Sequence, residues 1–407
     1  MRILKFLGAA VGTFLLVFLI VFGFNLDALF TLFENRDDLQ EGQEWVSKTG
    51  SLKGLTEYIG RHPRRTAVVS RSIPNPDTTI SYGADQPHTM GTLSNFFLIA
   101  TYARLVDDGS LNPDELVPLA DIDLYQLPYI DATNHEDAKK ALHDRGAVTS
   151  GGEAALADLV QTMVIFNDLA IADYLYYKLG IEAIRQTCQQ LGLQHTDLPL
   201  PFSGLYITIN PAVRDTTFPT HFARLRQLSR EAFRDTVLSH SREYLGNPSF
   251  QKRINEIFTA AQGLSINFTG RRDALSLFPR STAGELSGLM SRLQQNRLIS
   301  PGVSERVKKF MDWPLERQSL NSDFNQYGAL YDNRMGLLNG IDYGASAYSG
   351  EPFGQAVFFD SLQVAFWLHM SSNLMHQDYQ QRLMWDPALR ETTGRQISET
   401  TGQQINN

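Results

Sequence analysis

Three kinds of polar side chain in this sequence could take part in acyl transfer: a threonine hydroxyl, an asparagine amide and two aspartates. Thr92 stands at the start of an apolar helix, where free backbone N–H groups and a partial positive charge would support attack on a carbonyl. A hydroxyl becomes a useful nucleophile only when a base takes its proton. Asn95 can orient the hydroxyl but has no proton affinity near neutral pH, so Asp342 or Asp168 would have to be the base.

Each of these residues also has a purely structural interpretation. Thr92 would be a normal N-cap for the helix that follows it, and Asn95 would brace the same turn. Asp168 would cap a helix over Leu169–Leu179. Asp342 would be a solvated loop residue unless burial raised its pKa enough to make it a base.

The elements that must position these residues follow from periodicity. Alternating patterns predict a hairpin over Thr66–Ile73 and Thr78–Gly83. Asn95–Asp107 is apolar on nearly all faces and predicts a buried helix. Late strands are predicted over Gln355–Phe359 and Gln363–Met370. Strands at both chain ends with helices between them indicate an α+β fold with one antiparallel sheet.

The remaining segments give a domain plan. Ala154–Leu179 is predicted to be one long helix. Residues 51–376 form the predicted folded domain, residues 26–50 a polar and partly helical stalk, and residues 377–407 a polar tail.

The N-terminal segment predicts membrane attachment. Phe6–Phe24 is 19 residues without a charge, about the thickness of a bilayer core when helical. Arg2 and Lys5 precede this segment and acidic residues follow it, which places the N-terminus in the cytoplasm and the rest on the periplasmic or extracellular side of the inner membrane. Residues 1–25 are therefore interpreted as a transmembrane signal-anchor. A cleaved signal peptide is the alternative.

Composition excludes several classes of function. The net charge of −8 argues against a nucleic-acid binder. A single cysteine rules out an intrachain disulfide, a zinc finger and a cysteine-held cluster, and the nine histidines form no metal-binding pattern. We therefore predict neither a cofactor nor a metal site.

Three segments, taken in order, carry a family resemblance. M-G-T-L-S-N at 90–95 opens the buried helix, Asn167-Asp168-Leu169 follows an apolar run, and Asp342-Tyr343-Gly344 lies near the end, with 346–350 offering other registers. They resemble the Met-x-Ser-x-x-Lys, Ser-Asp-Asn and edge-strand Lys-Thr-Gly motifs of the penicillin-recognising serine hydrolases, which include class A β-lactamases and D-alanyl-D-alanine peptidases. The resemblance covers about 52–373 and implies that fold, with Thr92, Asn95, Asn167, Asp168, Asp342, Tyr343 and Gly344 at the motif positions.

The same alignment implies a degenerate site. Asn95 replaces the family's lysine, and Asp342 replaces the cation that receives the substrate carboxylate. No acid lies between Asp197 and Asp215, so the loop glutamate of class A enzymes has no counterpart. Residues 221–280 form a helical insertion with ten Lys and Arg against five Asp and Glu. This insertion is interpreted as either a solvated helical cover or a docking surface for an acidic partner or anionic headgroups.

Together these features predict a membrane-anchored, exported protein with a serine hydrolase fold, acting as a binding module in the cell envelope. Its partner would be a cell-wall fragment or an envelope protein. The alternative is an acyl-transfer hydrolase resembling a β-lactamase, peptidase or esterase, with Thr92 as nucleophile and Asp342 or Asp168 as base.

Overall fold

The computed structural model describes residues 36–312, 323–334 and 336–405. The strands in these ranges are β1 Thr66–Ser72, β2 Ile80–Tyr82, β3 Pro87–Thr89, β4 Leu116–Pro118, β5 Glu153–Ala155, β6 Arg280–Thr282, β7 Phe324–Asp332, β8 Asn339–Ser346 and β9 Pro352–Phe359.

Eighteen α-helices lie in the same ranges. They are α1 Arg36–Lys48, α2 Leu52–Arg61, α3 Asn95–Asp107, α4 Leu119–Asp123, α5 Ala132–Asp144, α6 Leu156–Phe166, α7 Leu169–Leu179, α8 Ile181–Gln190, α9 Phe202–Ile209, α10 Phe218–Arg226, α11 Arg230–Gly246, α12 Pro248–Ala260, α13 Phe268–Leu275, α14 Ala283–Gln294, α15 Pro301–Met311, α16 Val364–Ser372, α17 Met375–Trp385 and α18 Pro387–Ile405.

Five strands from both chain ends form one antiparallel sheet in the order β2-β1-β9-β8-β7. Val68 of β1 lies opposite Val357 of β9, and Ile341 of β8 lies opposite Ala356 of β9. The α+β architecture predicted from the sequence, with the early hairpin beside a late strand, is therefore confirmed. Strand β7, which the sequence reasoning missed, forms one edge of this sheet.

The sheet separates two apolar layers because side chains alternate along its strands. Ala67 and Val69 of β1 face the large helical part of the molecule, whereas Val68 faces the helices from the two chain ends. Helix α3 lies at the centre of the larger layer, and its Phe96 and Phe97 are fully buried. Burying each of these rings stabilises the fold by roughly 1.5–3 kcal/mol, and the predicted buried helix is confirmed.

The segment predicted as one helix over Ala154–Leu179 is interrupted. Strand β5 comes first, then α6, and the chain turns at Asn167, whose φ of 51° lies in the left-handed region, before α7 begins. The apolar residues on both sides of this turn gave one continuous pattern in the sequence. Only the short Asn-Asp pair marks the break, since these residues tolerate such backbone conformations.

All residues of the predicted strand Gln363–Met370 except the first, which is the N-cap, belong to helix α16, so the strand predicted there is wrong. Phe366 and Met370 of α16 are one helical turn apart and buried, while Leu368 is 46% exposed. A short apolar run fits a buried strand and a helix equally well in the sequence, and here packing on one face decides for the helix.

The folded unit extends past both predicted boundaries. Residues 377–405 continue as α17 and α18, in which Tyr379 and Leu383 are fully buried beneath the sheet, so a polar tail is wrong for this part. Within the predicted stalk, α1 places Trp45 edge-on against Tyr58 of α2, with ring centroids 5.0 Å apart. The sequence did not predict these contacts, because only a few positions of each helix face the core and the exposed positions make the segments look polar overall.

Residues 221–280, predicted as a helical insertion, lie within and between α10, α11, α12 and α13. In the described ranges no helix has both the length and the apolar character needed to cross a bilayer. The predicted anchor, Phe6–Phe24, lies outside those ranges.

Candidate functional site

Thr92 lies in a tight turn over Gly91–Ser94, between strand β3 and helix α3. Thr92 is 2% exposed, and its side-chain hydroxyl makes no hydrogen bond of regular geometry in the described part of the chain. Ser94 directly precedes α3, and its side chain donates to the Gly91 carbonyl instead of capping the helix. The N-cap interpretation of Thr92 is therefore wrong, and the residue sits in the turn that leads into the buried helix.

A carboxylate at the end of the edge strand accepts a hydrogen bond from a backbone N–H of this turn. The backbone N–H of Thr92 donates to Oδ2 of Asp332, the last residue of β7, at 3.0 Å. Gly91 allows this approach, because a Cβ atom there would lie 1.6 Å from Asp332 Oδ2. Burial raises the pKa of Asp332, although the charge of Arg334 and the contacts with Thr92, including its hydroxyl, oppose the rise.

Arg334 connects Asp332 to the helical half of the molecule. Its guanidinium pairs with Asp131 and lies 3.6 Å from Asp332 Oδ1. It also donates to the carbonyl of Asn167 at 3.3 Å. The Asn167 side chain in turn donates to the carbonyl of Tyr331 at 3.0 Å. We call Asp131, Asn167, Asp332 and Arg334 the cleft network, because together they join the edge strand to the turn between α6 and α7.

Asp168 has a structural role in this arrangement. Its carboxylate caps α7 by accepting from the backbone N–H of Ile171 at 2.7 Å, and it accepts from His135 Nδ1 at 2.8 Å. Burial alone would lower the pKa of His135, but Asp168 and Asp123 outweigh burial and raise it. None of these hydrogen bonds involves Thr92, so the capping interpretation of Asp168 is confirmed.

Asn95 is the first residue of α3 and is 2% exposed. Neither polar atom of its amide has a hydrogen-bond partner in the described part of the chain. The structure therefore places an amide one turn after Thr92, where it cannot act as a proton acceptor.

Asp342 faces the side of the sheet opposite to helix α3 and makes no hydrogen bond to Thr92 in the described part of the chain, so its predicted place in the site is wrong. It belongs to β8, a strand paired on both sides, and lies opposite Ala329 and Gln355. Its carboxylate accepts from Tyr327 at 3.0 Å and from Gln355 Nε2 at 3.1 Å, and burial raises its pKa to about 7.

The other two residues of the predicted third motif also lie elsewhere. Tyr343 donates to Asp312 after α15, and Gly344 packs beside Tyr327 and Met384. The motif had been placed one strand too late, because β7 and not β8 forms the edge of the sheet. The residues that reach the site are Asp332 and Arg334. The available signal for them was the aromatic-rich run at 324–332, bounded by the sequence D-N-R-M-G at 332–336.

A cavity of about 270 Å³ remains beside the cleft network. Its lining includes Arg334 and Asn167 of the cleft network, Arg271 of α13 and Trp367 of α16. Among the described residues, no group of three or more His, Cys, Asp or Glu side chains has an arrangement that could hold a metal ion.

Comparison with known proteins identifies the class. Residues 51–363 match the model of the β-lactamase enzyme family, so the chain belongs to that family and to the penicillin-recognising serine hydrolases. No curated protein matches the chain.

Solved structures of similar architecture include three from this class. A β-lactamase from Sphaerobacter thermophilus is 12% identical with a TM-score of 0.46, covering 86% of this chain and 97% of that chain. A β-lactamase from Burkholderia vietnamiensis is 13% identical with a TM-score of 0.46, also covering 86% and 97%. PBP-A, solved as an acyl-enzyme complex with penicillin G, is 12% identical with a TM-score of 0.45, covering 81% and 96%.

Proposed function

We propose that this protein is a catalytically degenerate member of its family and acts as a binding module in the cell envelope. One observation carries the proposal: the backbone N–H of Thr92 donates to the carboxylate of Asp332. Acyl transfer needs backbone N–H groups that are free to stabilise the oxyanion as it develops. Here the carboxylate of Asp332 already accepts the hydrogen bond of the N–H of Thr92, the residue at the nucleophile position.

Electrostatics strengthens this argument. An oxyanion formed at Thr92 would lie next to the Asp332 carboxylate, and two like charges about 4 Å apart cost about 4 kcal/mol at an effective dielectric constant near 20. Arg334 offsets part of this cost, but its charge is shared with Asp131. Asn95 is not a base, so it cannot activate the Thr92 hydroxyl. The site therefore neither activates this nucleophile nor stabilises the oxyanion that its attack would form.

One observation favours the alternative, an acyl-transfer hydrolase. The Thr92 hydroxyl lies close enough to Asp332 to lower that carboxyl's pKa, while burial raises it. Asp332 would then be the base, in place of Asp342 or Asp168. Against this role, the Thr92 hydroxyl makes no regular hydrogen bond to the carboxylate that holds its N–H.

The location and the ligand belong to the same proposal. Phe6–Phe24, preceded by Arg2 and Lys5, supports an anchor in the inner membrane with the domain outside. The cavity beside Arg334 and Trp367 supports binding of a polar ligand such as a cell-wall fragment, because it offers a cation and an aromatic surface.

A serine-hydrolase probe tests the proposal. The full-length chain in neutral detergent is incubated with a fluorescent fluorophosphonate, and a Thr92→Ala variant treated in the same way is the control. We expect no labelling of either protein above the heat-denatured background. Labelling of the wild-type chain that is lost in Thr92→Ala and in Asp332→Asn would establish the alternative, with Asp332 as the base.

A further inference from the structure

A groove runs over the surface of the helical insertion. It consists of two adjoining cavities of about 570 and about 340 Å³. Arg230, Phe233 and Leu277 line both cavities, so the two form one continuous depression. We call it the insertion groove.

The insertion groove is lined by both apolar residues and arginines. Phe222, Leu225 and Leu277 line the larger cavity, and Leu228 beside them is 36% exposed. Four arginines line the two cavities: Arg226, Arg230, Arg234 and Arg280. A concave surface of this kind offers apolar burial and positive charge to the same ligand.

Every acidic residue that lines the groove already has a partner. Each one is within reach of an arginine, at 3.6 Å for Asp197 with Arg230, 3.3 Å for Glu231 with Arg234 and 3.2 Å for Asp273 with Arg272. Asp197 also accepts from the backbone N–H of Arg280 at 2.9 Å. Burial raises the pKa of Asp197, and this hydrogen bond and the Arg280 charge oppose the rise. Among the described residues, no acid of the groove forms a salt bridge with the side chain of Arg226 or Arg280.

Arg226 and Arg280 thus remain without an ion pair in the described part of the chain. Arg226 is exposed at the end of α10, and its guanidinium lies 5.7 Å from the centre of the Phe222 ring. Arg280 is half-buried in β6, and its Nε is buried with no hydrogen-bond partner among the described residues. An unsatisfied buried donor is costly, so a ligand that accepts from Arg280 would gain free energy.

We propose that the insertion groove binds an acidic, partly apolar peptide segment of a partner protein. Carboxylates of the segment pair with Arg226 and Arg280, and its apolar side chains cover Phe222 and Leu225. A peptide fits better than a membrane surface, because Arg280 is recessed within the groove whereas flat lipid headgroups would meet only the exposed rim. The inference assigns a partner class to the binding role proposed above, and it holds whether or not Thr92 is reactive.

The groove also borders the cleft through one helix. Asp273 of α13 lines the groove, while Arg271 and Leu275 of the same helix line the cavity beside Arg334. A partner seated in the groove therefore contacts the helix that forms one wall of that cavity.

A peptide-display selection tests the proposal. A random peptide library is selected on the full-length chain in neutral detergent, with counter-selection on Arg226→Glu. Arg224→Glu is the matched control, because it makes the same charge change on the same helix at an exposed residue that does not line the groove. We expect peptides that combine Asp or Glu with Leu, Phe or similar residues. Selected peptides without acidic residues, or no peptide that distinguishes Arg226→Glu from wild type, would overturn the proposal.

Affinity of a selected peptide gives the second measurement. Binding should weaken about tenfold or more in Arg226→Glu and in Arg280→Gln, remain unchanged in Arg224→Glu, and fall as salt rises. Micelles of short-chain phosphatidylglycerol are the comparison ligand. Binding to these micelles that depends on Arg226, in the absence of any peptide binding, would assign the groove to the membrane surface and contradict the proposal. The fluorophosphonate test does not involve the groove, so the two proposals fail separately.

Discussion

Asp332 Oδ2 lies 3.0 Å from the backbone nitrogen of Thr92, although the two residues are 240 positions apart in the sequence. This contact joins the end of the edge strand to the turn that opens the buried helix. In the degenerate site that we propose, this contact occupies the backbone donor that acyl transfer at Thr92 would need.

Gly91→Ala should destabilise the protein strongly. The new Cβ would lie 1.6 Å from Asp332 Oδ2, and the φ of 56° is unfavourable for alanine. We expect a loss of about 3 kcal/mol or more in urea unfolding. Gly109→Ala is the control, because Gly109 also has a positive φ, of 77°, but has open space around it. It should cost only about 1 kcal/mol.

The double variant Gly91→Ala/Asp332→Ala extends this test. Removing the carboxylate should recover part of the loss, leaving a cost closer to that of Gly109→Ala. Equal costs for Gly91→Ala and Gly109→Ala would mean that Asp332 does not approach the turn as described.

Arg334→Ala should also cost stability, because it leaves Asp332 and Asp131 without their shared cation. Only 10% of the Arg334 side chain is exposed, so we expect a loss of about 2–4 kcal/mol in urea unfolding. Arg185→Ala removes an exposed ion pair with Glu182 and should change stability by less than about 0.5 kcal/mol. A loss in Arg334→Ala no larger than this control would contradict the cleft network.

Asp342 should make stability depend on pH. Burial raises its pKa to about 7, so between about pH 4 and pH 7 the native protein holds a proton that the unfolded chain has released. The unfolding free energy therefore falls as pH rises through this window, by at most about 1.4 kcal/mol per pH unit for one group.

Asp342→Asn should reduce this slope, and urea unfolding at about pH 5 and about pH 8 measures it. Part of the slope should persist, because burial also raises the pKa of Asp173 to about 7. Asp77→Asn changes an exposed carboxyl and is the control. An unchanged slope in Asp342→Asn would show that Asp342 is ionised throughout.

The membrane topology that we propose rests on Phe6–Phe24 and the charges around it. Protease added to right-side-out inner-membrane vesicles should digest the domain, whereas inside-out vesicles should protect it. Protection in the right-side-out vesicles would place the domain in the cytoplasm and refute the anchor orientation.

The sequence predicted those features that local patterns determine. The hairpin and the buried helix α3 follow from residues that are neighbours in the chain, and so does the cap of α7, which was one of the two interpretations of Asp168. Strand β7 and the position of Asp332 depend instead on which strands pair at the sheet edge, and such long-range pairing leaves no periodic signal. The same limit explains why α16 and α17 were misassigned, because α16 packs against the distant helix α1 and α17 packs against strands β8 and β9.

The most direct test of the proposed degenerate site is the intact mass of the full-length chain during incubation with benzylpenicillin. The mass is measured over a time course that begins within seconds, so that an adduct is detected before hydrolysis could release it. We predict an unchanged mass at every time, because Asp332 occupies the Thr92 N–H and Asn95 supplies no base. A penicilloyl adduct that maps to Thr92 and is missing in Thr92→Ala would contradict the account.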